Sequence, residues 1–307
     1  MRFKVLPRPR VVSLICRKID EMNRLYKFFS DDWGIRRNDL EGAVALIMPA
    51  IAAGNLAGAA ELLGCQKCTA QATGAPYLAQ WYELDDVNLP QDSVAVIQLQ
   101  GMLLAWETQW LIHQIERAEA NPRVCGIVLE IDGPGGMISR VDAAAELIRN
   151  CSKPTATVVT GTMASAHFWL GSAADRTFIA SPLCEVGSVG VMITHYSFRE
   201  FFKQNGIDYS VIYPDTADLK NKEVRALEDN GDEQPFKEHA EKIHRLFAET
   251  VAKNLGITYD PELPLFRGEM FDAAQAVAAG YIDEQGTVAD AVRWVLAQSV
   301  LAKVNEI

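Results

Sequence analysis

The sequence predicts an α/β domain with parallel strands, preceded by a mostly helical N-terminal region. Three observations lead to this prediction: short apolar runs, helical apolar spacing between them, and a change of pattern near residue 90. Strands that alternate with helices are typical of sheets whose parallel strands are joined by crossover helices. We therefore divide the 307-residue chain into residues 1–90 and 91–307.

The N-terminal region is predicted to hold two helices, at residues 18–29 and 43–63. Residues 1–40 are basic, with ten Lys and Arg against five Asp and Glu, which suits a basic helix or arm. Residues 42–60 carry no charge, but they include Pro49 and Asn55 and few large apolar side chains. We expect a buried or interfacial helix there, with a transmembrane helix as the alternative.

From residue 93 onward, strand and helix patterns alternate. Strands are predicted at residues 93–99, 124–131, 155–159, 177–180 and 209–213. Helices are predicted at 106–120, 141–148, 165–174 and 198–205, and the chain is mostly helical from 222 to 255. The run at 124–131 is almost continuously apolar, as expected for a strand that is buried on both faces.

Charge and cysteine usage limit the partners. The net charge of −11 lacks the Lys and Arg surplus that nucleic-acid binding needs. Six scattered cysteines suit a reducing cytoplasm rather than a secreted disulfide scaffold. Cys65 and Cys68 could form half of a zinc site, but no matching second pair is present, so we expect no metal and no cofactor.

Two glycine-containing segments follow buried strands and could carry chemistry. The first, DGPGG at 132–136, is predicted to turn sharply and expose backbone N–H groups, which an oxyanion hole requires. The second, GTMASA at 161–166, places Ser165 at a helix N-terminus, where an anion is favoured. Either segment alone could be structural, because glycine suits turns and serine is a common helix N-cap.

A third segment, EVGSVGV at 185–191, has two glycines in an apolar run. This pattern predicts a bulged strand, or a strand that another backbone approaches closely. Such a strand could line a groove that binds an extended peptide by strand addition.

Together these segments resemble the signal-peptide-peptidase A family, peptidase family S49. The matching runs are IVLEIDGPGG at 127–136, MASA at 163–166 and EVGSVGV at 185–191, followed by FDAAQA at 271–276 and GYID at 280–283. The resemblance implies the caseinolytic-protease/crotonase-like fold of repeated β-β-α units, oligomeric assembly and a peptidase domain at 91–307. Short phage and prophage head-maturation proteases are the members that this chain resembles most.

The resemblance also implies roles for particular residues. Ser165 would be the nucleophile and Lys220, in TADLKN at 216–221, the general base of a Ser–Lys dyad. Gly136 and Ala166 would supply the oxyanion hole. The residues expected to bind substrate are Gly135, Gly187, Ser188 and Val189.

Two departures from the family pattern concern these assignments. Ala217 stands where glycine is usual before the lysine, which leaves Lys222 as the second candidate for the base. Gly133 stands where serine is usual before Pro-Gly-Gly. A histidine base is a further alternative, and His167 and His195 are the nearest candidates.

The expected function is a cytoplasmic serine endopeptidase that processes capsid or scaffold proteins of a phage or prophage, in the host cell or the assembling head. Its partners would be a peptide or protein substrate and further copies of itself, with no nucleic acid and no membrane. The alternatives are a bacterial peptidase of signal-peptide remnants, a crotonase-like acyl-CoA enzyme and an inactive structural subunit. We expect residues 1–90 to be unnecessary for the chemistry.

Overall fold

A computed structural model describes residues 23–25, 27–29, 31–35, 37–63, 69–73 and 81–305. The strands are β1 (Trp33–Ile35), β2 (Thr69–Thr73), β3 (Trp81–Glu83), β4 (Ser93–Leu103), β5 (Val124–Met137), β6 (Thr155–Ala164), β7 (Arg176–Ile179), β8 (Glu185–Gly187), β9 (Met270–Asp272) and β10 (Glu284–Gln285). The helices are α1 (Arg37–Ala52), α2 (Leu56–Leu63), α3 (Ala105–Ala120), α4 (Val141–Arg149), α5 (Ala166–Gly171), α6 (Arg199–Gln204), α7 (Lys222–Asn230), α8 (Gln234–Leu255), α9 (Ala273–Ala278) and α10 (Val288–Asn305).

The strands form one sheet with a parallel centre. Its main path runs β10-β7-β6-β5-β4-β2-β3, and the neighbours from β10 to β4 are parallel. Helices α3, α4 and α5 connect or follow these strands, so the α/β prediction is confirmed. The register of β5 against β6 matters for function: pairing ends at Gly133 and Met163, after a register shift.

The N-terminal region contributes strands as well as helices. β2 and β3 form an antiparallel edge on β4, and β1 pairs with the end of β5. The single helix predicted at 43–63 is two helices, separated at Gly54, where φ is 71°, a conformation that favours glycine. Residues 1–22, which carry most of the basic arm, lie outside the described residues.

Two local predictions were wrong. The predicted turn at 132–136 is extended backbone that continues β5 to Met137, because β4 and β1 pair with it there. The predicted strand at 209–213 is largely exposed irregular chain. A strand requires a neighbour with which to share hydrogen bonds, and the described sheet supplies none at that place.

The search for membrane and metal sites applies to the described residues alone. None of their helices combines the length and the hydrophobicity that crossing a bilayer requires. Nor do they bring together three or more metal-ligating side chains of His, Cys, Asp or Glu. Cys65 and Cys68 lie outside the described part of the chain.

The start of α3 buries a carboxyl group. Glu107 Oε2 accepts a hydrogen bond from the Leu104 N–H at 2.7 Å and so caps the helix. Burial raises the pKa of Glu107 from 4.5 to about 8, against the smaller lowering effects of that hydrogen bond and of Arg24. The side chain is therefore largely protonated in the folded protein at neutral pH.

We predict that Glu107→Gln removes a pH dependence of stability, since glutamine keeps the acceptor without the charge. In the wild type, the stabilisation from the raised pKa is complete below pH 4.5 and is lost as the pH rises to about 8. The free energy of unfolding should therefore fall by ~1 kcal/mol per pH unit across this window. Urea unfolding between pH 5 and pH 9 measures it, with exposed Glu116→Gln as the control; equal slopes in wild type and Glu107→Gln would contradict the prediction.

Candidate active site

Ser165 lies at the junction between β6 and α5 in a strained backbone conformation. Its φ is 53° and its ψ is −118°, which residues with a side chain rarely adopt. The Ser165 N–H donates to the Gly187 carbonyl oxygen at 2.8 Å, and the Trp169 N–H donates to the Ser165 carbonyl oxygen at 2.9 Å. Neighbouring structure thus holds the serine in a conformation that would be costly in isolation, a feature that concentrates at functional sites.

The hydroxyl of Ser165 is enclosed. Its Oγ donates a hydrogen bond to the Gly190 carbonyl oxygen at 3.2 Å, and the residue is 1% exposed. The end of β8 and the segment that follows it therefore both contact the serine, through Gly187 and Gly190. The Gly190 carbonyl orients the hydroxyl, but a carbonyl oxygen is no general base.

The end of β5 lies beside the serine. A Cβ added to Gly135 would stand 2.9 Å from the Cβ of Ser165, and one added to Gly136 would stand 1.8 Å from the Leu103 carbonyl oxygen. Any side chain at either position would therefore displace backbone. Ala166 is the first residue of α5, so its N–H belongs to the group that has no acceptor within the helix. The structure thus brings Ser165, Gly135, Gly136 and Ala166 together.

His167 supports the end of β5 at residues 133–137, which we call the glycine strand. Its Nδ1 accepts a hydrogen bond from the Gly135 N–H at 3.0 Å, so the proton of the neutral ring lies on Nε2, which is buried and has no hydrogen-bond partner among the described residues. Burial lowers the pKa of His167 from 6.5 to about 4. The ring also explains the departure at Gly133, where an added Cβ would stand 2.4 Å from His167 Cε1 and 2.3 Å from the Gly101 carbonyl oxygen.

The histidine alternatives find no support in this geometry. His167 uses Nδ1 for Gly135, and His195 Nε2 lies 3.0 Å from Glu228 Oε1. Within the described residues, the hydroxyl of Ser165 bonds to Gly190 and to neither ring. Sequence reasoning considered His167 only as a base and missed its contact with Gly135.

No hydrogen bond among the described residues joins the predicted lysine base to the serine. Lys220 is exposed in a turn, where its N–H donates to the Ala217 carbonyl oxygen at 3.1 Å. Lys222 begins α7 and is also exposed. The hydrogen bonds of the described part join neither amino group to Ser165.

The predicted substrate-binding segment holds the serine in place. Besides its bond to Ser165, Gly187 has a φ of 127°, and Ser188 follows with a φ of 53°. The Ser188 N–H donates to the Glu269 carbonyl oxygen at 2.9 Å, and Val189 is fully buried. The role of these residues in substrate binding stays a prediction.

One contact was not predicted at all. Gly34 of β1 lies opposite Gly136, and a Cβ on Gly34 would stand 3.0 Å from Ser165 Oγ and 3.5 Å from the Ala166 nitrogen. β1, which belongs to the region that we expect to be unnecessary for the chemistry, therefore lies against Ser165, and whether the chemistry needs it stays a prediction. A Trp-Gly-Ile run carries no local signal of this long-range contact.

The fold and the site define a class: a Clp-protease-like α/β sheet with a buried serine at a strand–helix junction beside a glycine strand. Comparison with family descriptions agrees, since residues 148–303 match peptidase family S49 and residues 92–186 match Clp protease. The S49 match spans half of the chain. The chain therefore belongs to peptidase family S49, a family of serine peptidases.

Curated relatives include phage and plant proteins. The chain is 28% identical over 184 residues to the head-tail preconnector protein GP5 of Enterobacteria phage P21, covering 59% of this chain and 36% of that protein. It is 26% identical over 188 residues to the capsid assembly protease C of Escherichia phage lambda, covering 59% and 41%. It is 23% identical over 185 residues to the chloroplastic serine protease SPPA of Arabidopsis thaliana, covering 59% and 27%. The chain thus aligns with less than half of each of these relatives.

We predict that His167→Ala destabilises the fold, because it leaves the Gly135 N–H without an acceptor and opens a cavity. The cost should be about 2–4 kcal/mol in urea unfolding. Because burial lowers the pKa of His167, the wild type should lose stability as the pH falls from 6.5 toward about 4, and the variant should lose less.

The control for this experiment is His113→Ala, since His113 is exposed on α3. That variant should stay within about 0.5 kcal/mol of the wild type. A His167→Ala protein that is as stable as the control at pH 7 would show that the buried ring does not support the glycine strand.

Proposed function

We propose that this chain is a serine endopeptidase in which Ser165 is the nucleophile. The observation that carries the proposal is the strained, enclosed conformation of Ser165, with its Oγ between the glycine strand and the N-terminus of α5. A structural N-cap serine has no need of positive φ, whereas a nucleophile at a tight strand–helix turn projects its hydroxyl toward a bound carbonyl.

The chemistry follows from this arrangement. Ser165 Oγ would attack the carbonyl carbon of an extended peptide and lose its proton to a base. The carbonyl oxygen, as it becomes negative, would accept hydrogen bonds from the N–H groups of Gly136 and Ala166. The amine would leave with a proton, and water would then hydrolyse the acyl-serine. The dry surroundings of Ser165 strengthen each of these electrostatic interactions.

We propose Lys220 as the base, contributed by a neighbouring subunit. The amino group is exposed here, but the surrounding segment presents apolar side chains that water solvates poorly. The large side chains exposed between residues 196 and 219 are Tyr196, Phe198, Phe201, Ile207, Tyr209, Val211, Ile212 and Leu219. Ile212, for example, is 90% exposed. Exposed apolar patches of this kind mark interaction sites. A second copy that covers this segment would also exclude water from Lys220. A lysine side chain can act as a general base only under such a condition, because water stabilises its charged form.

We propose capsid or scaffold proteins of a phage or prophage as substrates, within the infected or lysogenic cell. The similarity to the head-tail preconnector protein of phage P21 and to the capsid assembly protease of phage lambda supports this choice. Turnover of signal-peptide remnants is the second candidate, and it rests on the resemblance of the motifs to the signal-peptide-peptidase A family. A crotonase-like acyl-CoA enzyme would use the same pair of N–H groups without a strained serine, and a structural subunit would need neither.

We predict that Ser165→Ala abolishes both peptide hydrolysis and labelling by a fluorophosphonate, since the nucleophilic oxygen is lost while the volume barely changes. The wild type should carry the label on Ser165, located by peptide mass spectrometry. Ser152→Ala is the control because Ser152 is exposed, and it should be labelled like the wild type. Labelling of Ser165→Ala at the wild-type rate would refute the assignment.

We predict that Lys220→Ala is inactive and that Lys222→Ala retains substantial activity. If the lysine comes from a neighbouring subunit, inactive Ser165→Ala and inactive Lys220→Ala should regain activity when they are unfolded together and reassembled. Random mixing would restore up to about a quarter of the sites. Activity of Lys220→Ala alone, or loss in Lys222→Ala, would move the base to Lys222, and an inactive mixture would place serine and lysine in one chain.

A further inference from the structure

β1 fills a gap in the centre of the sheet. Beyond Gly133 and Met163, β5 and β6 part, and the end of β6 pairs with β8. The end of β5 pairs antiparallel with β1, which on its other edge exchanges two hydrogen bonds with Met192. The Trp33 N–H donates to the Met192 carbonyl oxygen at 3.1 Å, and the Met192 N–H donates to the Trp33 carbonyl oxygen at 2.9 Å. A short extended segment thus lies with both edges paired, as a peptide bound by strand addition does.

The register places one peptide group of β1 at the proposed catalytic atoms. Because the N–H and C=O of Trp33 face Met192, alternation along an antiparallel ladder turns those of Gly34 toward Gly136. The Ile138 N–H donates to the Asp32 carbonyl oxygen at 3.2 Å, which fits the same alternation. The Gly34 carbonyl oxygen lies so close to Gly135 that a Cβ there would stand 2.1 Å from it. The Gly34 carbonyl therefore occupies the place where a substrate carbonyl would be attacked.

We propose that Trp33-Gly34-Ile35 is an internal pseudosubstrate that closes the peptide groove of the resting chain; this inference rests on the proposed function. Gly34 takes the position of the residue whose carbonyl is attacked. The groove selects extended peptides with glycine or another very small residue there, because a Cβ added to Gly34 would stand 3.0 Å from Ser165 Oγ and 3.1 Å from Ile138 Cγ2.

Anchors on both sides hold the segment in place. Trp33 is 1% exposed and packs edge-on against Phe28, with ring centroids 5.0 Å apart. The Asp32 carboxylate lies 3.2 Å from His239 Nε2 of α8. α1 begins at Arg37, two residues beyond the strand, and packs into the same apolar cluster as Trp33 through Leu40 and Ile47. The anchors belong to the fold itself, so the segment inhibits by occupancy and is not released as a product.

The first test compares Gly34→Leu with Gly42→Leu in the full chain. A side chain at Gly34 collides with Ser165 and Ile138 and should expel β1, whereas an added Cβ at Gly42 of α1 meets nothing within 4 Å. Fluorophosphonate labelling of Ser165 should be faster by about tenfold in Gly34→Leu, the gain expected when an open state rises from a minor to the major population. Gly42→Leu should label at the wild-type rate. Labelling of a folded Gly34→Leu at the wild-type rate would overturn the inference.

A milder variant guards against misfolding. Asp32→Ala removes the contact with His239 without adding bulk, and it should accelerate labelling in the same direction but less. Intact-mass spectrometry of the purified wild type should show a chain that is uncut between Gly34 and Ile35. A cut there would show that the segment is a substrate and not a lasting inhibitor.

A binding experiment separates this inference from the proposed chemistry. In the Ser165→Ala background no cleavage can occur, yet a fluorescent peptide of sequence DDWGIR, residues 31–36, should bind once Gly34→Leu has emptied the groove. Ser165→Ala with Gly42→Leu should not bind it, and the peptide DDWLIR should bind neither protein. Binding to the emptied groove without any labelling of Ser165 in the Gly34→Leu chain would refute only the proposed function. Absence of binding to the emptied groove would refute the pseudosubstrate.

Discussion

The parting of β5 and β6 beyond Gly133 and Met163 is the constraint on which the rest of the site depends. Two parallel strands that separate leave unpaired N–H and C=O groups, and buried backbone groups of this kind require partners. The end of β6 pairs with β8, whose last residue is Gly187, and the Gly187 carbonyl oxygen accepts a hydrogen bond from the Ser165 N–H. The end of β5 pairs with β1. The position of the serine and the presence of a segment over it thus have one origin.

The glycines of the site are required by this close backbone packing. The Leu103 carbonyl oxygen occupies the space of a Gly136 side chain, and the Gly101 carbonyl oxygen and the ring of His167 occupy that of Gly133. His167 is neutral because it is buried, and its Nδ1 accepts a hydrogen bond from the Gly135 N–H. Successive N–H groups alternate along a strand, so the Gly136 N–H faces the other edge. Fixed backbone donors in surroundings without water are what the stabilisation of a developing oxyanion needs.

Much of the central sheet could be predicted from sequence, because its strands are short apolar runs between helical patterns. Ser165 was predicted to lie at the start of a helix, and it does lie at a strand–helix junction, whereas its role as the nucleophile stays a proposal. The extended backbone at 132–136 was mistaken for a turn, since Gly-Pro-Gly-Gly is typical of turns and only pairing with distant strands extends it. The contact between Gly34 and Ser165 spans 131 positions of the sequence, and no local pattern encodes a pairing at that separation.

The proposed peptidase site must meet two separate conditions before it can act. The proposed base must reach Ser165, yet Lys220 is exposed, and no hydrogen bond among the described residues joins it to the serine. The groove must also be vacated, because the carbonyl of Gly34 lies against the glycine strand and the serine is almost fully enclosed. Assembly could supply the lysine without moving β1, and displacement of β1 could open the groove without supplying the lysine. On the proposals made above, an isolated chain is inactive for both reasons, so activity would require the chain to be both assembled and opened.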